Sequence, residues 1–429
     1  MILDGITICE LASGVAGPLA ALRLSDLGAS VVKYEQDGGD YLRGAAPQAP
    51  GSEDSAAFVA LNRGKRGVAL GPDLPAAARV LSRAVAAATV VITDWTEADL
   101  AAAGLTGPRD EARGGASGLI WIELSDFGRT GPLTDAPGSE LVSQAFAGYT
   151  RYLGGYGEPP LRLGADVAAT GTGVLAAQAV LATLLWQRRG DGRARNGDTR
   201  GRGQVASLSH IGTLLAMKSI HLAAQSDPDS FSGPRVGGAN YPPEHGWRAG
   251  DNHLTFAFGG SVGQTGRAGW TDFVTEIGLG ELIDDPRFGD DPTGRLTTGL
   301  GPRARELRPE YEKEFVQHPA AEVVARIREH GGAAAVYQDH RQVLEHEQPA
   351  ALDLFREAGD GDDAVRVTAF PARFSRTRTQ VRAGAPGLGQ HTQEVASELG
   401  FDTPDISRLA EAGALARAAG DATGGRQRR

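Results

Sequence analysis

An alternation of short apolar runs with helix-like segments fills the N-terminal part of this chain and limits the folds open to it. Pro18–Leu27 and Ala76–Ala88 carry apolar residues at helical spacing, and Gly28 is a suitable end for the first helix. The predicted strands are Ile6–Leu11, Ser30–Tyr34, Val68–Leu70, Val90–Thr93 and Leu119–Leu124. Strands that alternate with crossover helices form a parallel sheet with both faces covered, so the sequence predicts an α/β fold.

Length and composition are those of a globular protein with more than one core. A chain of 429 residues is too long for one ordinary compact domain, and 41% hydrophobic with 22% charged residues is a normal balance. The net charge of −10 argues against a general nucleic-acid-binding surface, because there is no basic excess to neutralise phosphates. Cys9, the single cysteine, lies in an apolar run and is predicted to be a small core residue.

The N-terminus and the hydropathy pattern predict a cytoplasmic protein. Asp4 and Glu10 stand where a signal peptide would be basic and then apolar. We find no stretch that approaches the roughly 18 apolar residues of a membrane span, so no membrane partner is expected.

Beyond the first strands, the clearest signal is one long helix-like stretch. Gly164–Trp186 is rich in small and apolar residues, and the arginine- and glycine-rich segment 188–203 is predicted to be a solvated loop. Residues 205–225 are again predicted to be helical. Glycines and prolines near 233–239 indicate a domain boundary, and Leu254–Phe258 is a predicted strand of the second domain.

Three familiar site patterns fit the sequence poorly. Gly171-Thr-Gly173-Val-Leu-Ala176 matches the GxGxxA pattern of dinucleotide sites, but no strand ends immediately before it, and such spacing more often allows close helix packing. The histidines show no HxxxH or HExxH spacing and one cysteine cannot build a thiolate site, so no metal is expected. No G-x-S-x-G nucleophile elbow occurs either.

A set of ordered segments resembles the family III CoA-transferases, the formyl-CoA and carnitine CoA-transferase group of the CaiB/BaiF-like superfamily. The segments are LDGITICELASGVAGPLAALRLSDLGASVVKYEQDGGDYLRG, LNRGKRGVAL, LSDFGRTGPL, GADVAATGTGVLAAQAVLATLLWQRR, GRGQV, LIDDPRF and APGLGQHTQEVASELG. Their order is that of the family, and together they run from Leu3 to about Ala412. One such motif would be weak, but the ordered set is specific.

The resemblance implies that Asp166, early in the long helix, is the nucleophile. In such an enzyme this aspartate attacks an acyl-CoA thioester to give a mixed anhydride, and CoA thiolate then converts the anhydride to an aspartyl-CoA thioester. An acceptor carboxylate reverses the sequence, so CoA is a substrate and no permanently bound cofactor is expected. From the residues alone, Asp166 is equally well explained as a helix N-cap.

The resemblance also implies where acyl-CoA is held. The loop after the first strand, Ser13–Pro18, matches the family's CoA-contacting loop, and the glycine pair in AFGGSVG resembles its flexible active-site loop, although a plain turn explains that pair equally well. The implied binding residues are Gly14, Val15, Ala16, Leu70, Asp94, Gly259 and Gly260.

Several positions depart from the family pattern and keep two other functions open. Asp94-Trp95 replaces the Asn-Phe found after the fourth strand, Gln36 replaces an arginine or other polar residue, and DLAAAGL lacks a basic residue. Lost positive charge weakens the pairing of CoA phosphates, so a non-catalytic acyl-CoA-binding homologue is the first alternative. A 2-methylacyl-CoA racemase is the second, but Ser139 stands where racemases carry a histidine base.

The resemblance further implies a two-domain chain and a homodimer of interlocked subunits. The large Rossmann-like domain is expected at 1–205 and 335–429, and the small α+β domain at 232–318. Linkers are expected at 206–231 and 319–334. Small carboxylic acids and acyl-CoA are the expected partners.

Overall fold

The chain divides into two compact units, each with its own core. The computed structural model describes residues 1–114, 117–150, 159–189, 202–224, 226, 246–258, 266–285, 304–358, 364–381 and 384–416. The first unit draws on Met1–Thr150, Arg162–Met217 and Gln348–Arg429, and the second on Arg151–Leu161 and Lys218–Glu347.

A six-stranded parallel sheet forms the centre of the first unit. Its strands are β1 (Thr7–Leu11), β2 (Ser30–Glu35), β3 (Arg66–Ala69), β4 (Val90–Thr93), β5 (Ile120–Ser125) and β6 (Gln204–Ser209). The spatial order is β3-β2-β1-β4-β5-β6, with every neighbouring pair parallel. The α/β prediction is confirmed, and this order is that of a doubly wound nucleotide-binding sheet.

Helices cover both faces of this sheet. Those of the first unit's N-terminal half are α1 (Ala16–Asp26), α2 (Ala56–Asn62), α3 (Leu74–Ala87), α4 (Glu97–Ala102), α5 (Thr106–Gly114), α6 (Glu140–Phe146), α7 (Val167–Arg189) and α8 (His210–Met217). Alternate strand residues serve the two faces: Ile8 packs with α1 and α7, whereas Cys9 packs with α3 and the C-terminal helices. This alternation follows from the two-residue period of a strand, and Cys9 is buried as predicted.

The second unit is built on a small antiparallel sheet with an aromatic core. Its elements are α9 (Ser219–Ala224), β7 (Trp247–Arg248), β8 (His253–Ala257), α10 (Arg267–Glu276), α11 (Ala304–Phe315), α12 (Ala320–Glu329), β9 (Ala333–Val336) and α13 (His340–Glu345). Trp247, Phe256, Phe273, Tyr311 and Phe315 pack edge-on or tilted against one another in its centre.

The C-terminal segment supplies the remaining elements. They are α14 (Glu347–Ala351), β10 (Phe355–Ala358), β11 (Val365–Thr368), α15 (Thr392–Glu398) and α16 (Thr403–Glu411). Strands β10 and β11 form an antiparallel pair. Val395 and Leu409 of the last two helices belong to the core cluster that also contains Cys9, so both ends of the chain build the first unit.

Element and unit boundaries differ from the sequence-based prediction at three places. The prediction of a helix over 205–225 is wrong for the first residues, because the strand Gln204–Ser209 pairs along its whole length with β5. That pairing outweighs the weak strand propensity of its small residues. The expected linker 206–231 therefore begins too early. The expected linker 319–334 contains α12, whose Val323 and Ile327 lie in the second unit's core, and that unit continues to Glu347.

The GxGxxA segment lies inside α7 and serves helix packing, as predicted. A Cβ built on Gly173 would lie 2.6 Å from the Ala16 carbonyl oxygen, so only glycine lets α7 approach α1 this closely. By length and composition, Val167–Arg188 is apolar enough to cross a membrane, with a mean hydropathy of 1.6. The expectation that no segment reaches this threshold is wrong. However, α7 packs against α1 and against β5 and β6, and Ala176 and Val180 belong to the sheet core.

A buried ion pair ties the end of α1 to the end of α2. The Arg63 guanidinium donates to the Asp26 carboxylate at 2.6 and 3.1 Å and to the Thr368 carbonyl at 3.2 Å. Both side chains are almost completely buried, at 2% and 1% exposure. Neither charge has access to water, so each depends on the other.

We predict that Asp26→Asn lowers the free energy of unfolding by about 3–5 kcal/mol, because Arg63 would keep a buried charge without its partner. Urea unfolding followed by circular dichroism measures this loss. Adding Arg63→Met should recover part of it. Arg66→Ala, which breaks an exposed ion pair with Glu394, is the matched control and should cost less than about 1 kcal/mol. An Asp26→Asn loss no larger than this control would contradict the prediction.

Candidate active site

The sheet order creates a crevice at the carboxyl ends of β1 and β4. The chain leaves β1 through α1 toward β2 on one side, whereas β5 and β6 lie on the other side of β4. Ligands of open α/β sheets bind at such a switch point. The first turns of α1 and α7 lie at the same edge, because each helix starts a crossover that begins at the carboxyl end of a strand.

Two carboxylates hold the loop after β1. Gly14 has φ 74°, a conformation that favours glycine, and its N–H donates to the two Asp40 carboxylate oxygens at 3.0 and 3.2 Å. The Ser13 N–H donates to Asp94 Oδ2 at 2.9 Å. Asp40 follows β2 and Asp94 follows β4, so strands on both sides of β1 fix this loop.

Asp40 is itself held by a buried lysine. Lys33 Nζ lies 2.9 Å from Asp40, 2.9 Å from Glu10 and 2.6 Å from the Ala12 carbonyl oxygen, and its side chain is 0% exposed. Burial alone would lower the pKa of Lys33, but Glu10 and Asp40 outweigh it and hold that pKa above its ordinary range. Lys33 therefore stays charged and keeps Asp40 in place.

Two further cations complete this buried network. Lys65 Nζ lies 2.7 Å from Glu10, and burial lowers the pKa of Lys65 to about 8, against the opposing effect of Glu10. Arg43 binds the Glu35 carboxylate through two nitrogens, each at 2.7 Å, and Glu35 also accepts the Asp40 N–H at 2.9 Å. Glu35, at the end of β2, thus holds the segment that follows Asp40 in place.

Glu140, and not Asp166, caps the start of α7. Its two carboxylate oxygens accept the N–H groups of Ala168 and Ala169 at 2.8 and 2.9 Å. Gln144 donates to Glu140 at 2.7 Å and to the Ala165 carbonyl at 3.0 Å, which fixes the turn before the helix. Among the described residues, the exposed Asp166 carboxylate makes no hydrogen bond, so this side chain is available to react.

Tyr41 interacts with carboxylates both around the Gly14 loop and at the start of α7. Desolvation, followed by the carboxylates of Asp40, Asp94, Asp166 and Asp126, raises the pKa of the Tyr41 phenol. Carboxylates from the loops after β2, β4 and β5 and from the start of α7 therefore all interact electrostatically with one hydroxyl group. This convergence defines the candidate active site.

Asp126 also contacts a histidine at the sheet edge. His210 Nδ1, at the end of β6, lies 2.8 Å from Asp126 Oδ1, and the Ile211 N–H donates to the Asp126 carbonyl at 3.1 Å. Arg129 donates to the carbonyls of Trp95 and Leu124, which joins the ends of β4 and β5.

The predicted binding residues fall into three groups. Gly14, Val15 and Ala16 form the loop and first turn at the switch point, and the Asp94 carboxylate lies beside them. The Asp94 side chain reaches solvent, yet desolvation by the surrounding protein raises its pKa to about 6. Leu70 contributes no side chain to this cluster, because it is 0% exposed within the core. Gly259 and Gly260 lie outside the described residues.

Ser139, at the position of a racemase histidine, has a structural role. Its hydroxyl oxygen accepts the Val142 N–H at 3.3 Å and caps α6. No local sequence pattern singles out Tyr41, Glu140 or the pair Asp126–His210. The only available signal was position: Tyr41 and Asp126 stand inside two of the segments that resemble the family.

Comparison with known proteins identifies the family of this chain. A model of CoA-transferase family III matches residues 3–392. The chain belongs to this family. A probable fatty acyl-CoA transferase of Mycobacterium tuberculosis is 30% identical over 399 residues, covering 91% of this chain and 96% of that protein. A formyl-CoA:oxalate CoA-transferase of Streptomyces avermitilis is 26% identical over 423 residues, covering 96% and 99%.

The fold of this CoA-transferase agrees with a solved relative. A crystal structure of a CaiB/BaiF family protein from Brucella suis has a TM-score of 0.78 and 24% identity, covering 92% of this chain and 99% of that one. The family assignment makes the chain an enzyme that uses CoA thioesters.

We predict that Glu140→Ala impairs this CoA-transferase through the start of α7. Two amide groups would lose their acceptor, which costs about 0.5–2 kcal/mol of unfolding free energy, and Asp166 would lose its fixed position. Thermal unfolding and acyl-CoA turnover measure the two effects. Ser139→Ala, which removes the cap of the neighbouring helix α6, is the control and should change turnover less. Wild-type turnover by Glu140→Ala would contradict this role.

Proposed function

We propose that this enzyme transfers CoA between an acyl-CoA donor and a carboxylic acid through covalent intermediates on Asp166. The observation that carries the proposal is the exposed Asp166 carboxylate, left without a hydrogen-bond partner among the described residues while Glu140 caps the helix. An ionised carboxylate is the nucleophile that the reaction requires.

The reaction requires only the acyl-CoA donor, Asp166 and the acceptor acid. An Asp166 oxygen forms a bond to the thioester carbon, the C–S bond breaks, and CoA thiolate leaves an acyl–aspartyl anhydride. The thiolate then attacks the aspartyl carbon of the anhydride, which releases the first acid and leaves an aspartyl-CoA thioester. The acceptor acid attacks this thioester and regenerates Asp166 by the reverse route. Holding the reactants together in one crevice favours each step over reaction with water.

We predict that Asp166→Ala lowers CoA exchange by at least about 10³-fold while the fold is kept, because the covalent route is lost. Exchange between a panel of thioesters and carboxylic acids, read by mass spectrometry, measures the loss. Asp135→Asn, at an exposed aspartate outside the site, is the matched control and should retain wild-type rates. Retained turnover within tenfold by Asp166→Ala would exclude the nucleophile.

Trapping distinguishes an active transferase from a homologue that only binds acyl-CoA. Hydroxylamine should label the peptide that holds Asp166 only when acyl-CoA is present, because only the anhydride or thioester is activated. Bound acyl-CoA without any label would favour the non-catalytic alternative. Label on a different carboxylate would place the reaction elsewhere.

We also propose that the enzyme is a cytoplasmic homodimer. Apolar side chains stay exposed along α6, α7 and α8, among them Phe146, Val174, Leu181, Leu185 and Met217. Exposed apolar side chains that cluster on neighbouring helices are typical of an interaction site. A second copy of this chain is the proposed occupant, which also accounts for the apolar character of α7 without a membrane.

We predict a dimer that persists at nanomolar concentration, measured by mass photometry. Leu185→Glu would place a charge in the proposed interface and should shift the population toward monomer. Val343→Glu, at a half-exposed apolar position of the second unit, is the control. A wild-type monomer at these concentrations would rule out the dimer.

A further inference from the structure

Tyr41 has the position of a substrate contact. It opens the short 3₁₀ segment Tyr41–Gly44, directly after Asp40, whose carboxylate caps that segment by accepting the Leu42 N–H. The side chain is 71% exposed, so the ring is accessible to a substrate. Its backbone is nonetheless fixed, because Asp40 is held by Lys33 and by Glu35.

The phenol lies over the Gly14 loop. A Cβ built on Gly14 would lie 2.1 Å from the Tyr41 hydroxyl oxygen and 2.7 Å from Cζ, so any other residue at position 14 would displace the ring. The hydroxyl therefore lies directly above the backbone that the family resemblance assigns to acyl-CoA. Asp166 directly precedes α7, and α7 packs against the start of α1 through Gly173 and Ala16, so the proposed nucleophile lies at the same edge of the sheet as this loop.

In the part of the chain that the structure describes, the Tyr41 hydroxyl makes no hydrogen bond, and its electrostatic surroundings are negative. Desolvation and these charges raise the pKa of the phenol, so it stays protonated throughout the physiological range. A neutral phenol beside a reacting carboxylate can stabilise negative charge that forms on a substrate.

We propose that the Tyr41 hydroxyl donates a hydrogen bond to the acyl oxygen of the thioester while Asp166 attacks the thioester carbon. This inference rests on the proposed function of Asp166. As the Asp166 oxygen bonds to the thioester carbon, the carbonyl electrons move to the acyl oxygen, and Tyr41 stabilises this oxyanion without giving up its proton. The C–S bond then breaks and the carbonyl re-forms, so Tyr41 acts in the step in which the donor thioester is attacked.

A second role for the same side chain makes a different prediction. An aromatic ring that only forms a wall for acyl-CoA would act through its surface, and removal of the hydroxyl would change KM more than kcat. A donor to the transition state changes kcat, because its hydrogen bond is strongest when charge has formed. Removing one atom, the hydroxyl oxygen, therefore distinguishes the two roles.

The test compares Tyr41→Phe with Tyr337→Phe. Tyr337 is also exposed, at 48%, and its ring also lies over a glycine of positive φ, since a Cβ on Gly246 would lie 2.5 Å from its Cε2. Tyr337 belongs to the second unit and has no part in the proposed site. Steady-state exchange gives kcat and KM, and single-turnover mass spectrometry gives the rate at which Asp166 is labelled by acyl-CoA.

We expect Tyr41→Phe to lower kcat and the single-turnover rate by about 10²-fold, with KM for acyl-CoA changed less than about threefold, while Tyr337→Phe matches wild type. A kcat within twofold of wild type, or a change confined to KM, would overturn the proposal. Both results leave the Asp166 label of the wild-type enzyme intact. Absence of that label in wild type would instead refute the proposed function, so the two failures are distinguishable.

Discussion

The buried ammonium group of Lys33 is the interaction on which the site depends. It joins Glu10 on β1 to Asp40 after β2 and also binds the Ala12 carbonyl, so one charge connects the sheet to the Gly14 loop. Buried charges of this kind contribute little net stability, because desolvation offsets most of the Coulomb attraction. Their effect is on geometry: losing either partner would leave an uncompensated charge, so the loop has one conformation in which every group is paired.

At the start of α7, one carboxylate stabilises the structure and another remains available for reaction. A helix start needs acceptors for its first amides, and an aspartate directly before the helix would ordinarily supply one. Here Glu140 reaches from α6 and takes both amides, so Asp166 is relieved of the capping role that its position would otherwise impose. The carboxylate that stabilises the fold and the one available for reaction are thus different residues. A nucleophile used as a cap would have to break its own hydrogen bonds before each attack.

The sequence predicts the regular parts of this protein and misses the groups that complete its site. Strands β1 to β5 and the close packing at Gly173 follow from local patterns of apolar and small residues. Strand β6 does not, since its identity comes from pairing with β5 across a long segment. Glu140 and Tyr41 act through partners distant in sequence, Ala168 and Gly14, and no local pattern records such a contact. Asp166 is indicated as a site residue only by the resemblance of the ordered motifs to a known family.

The two helix starts at the switch point differ, because only one of them has a side-chain cap. The first amides of α7 are occupied by Glu140, whereas no side chain caps α1, which begins after Val15. Uncapped amides at a helix start favour negative charge. Just before α1, however, Asp94 and Asp40 already accept the amides of Ser13 and Gly14. Negative charge therefore lies beside both helix starts, and the first amides of α1 differ from those of α7 in having no side-chain acceptor.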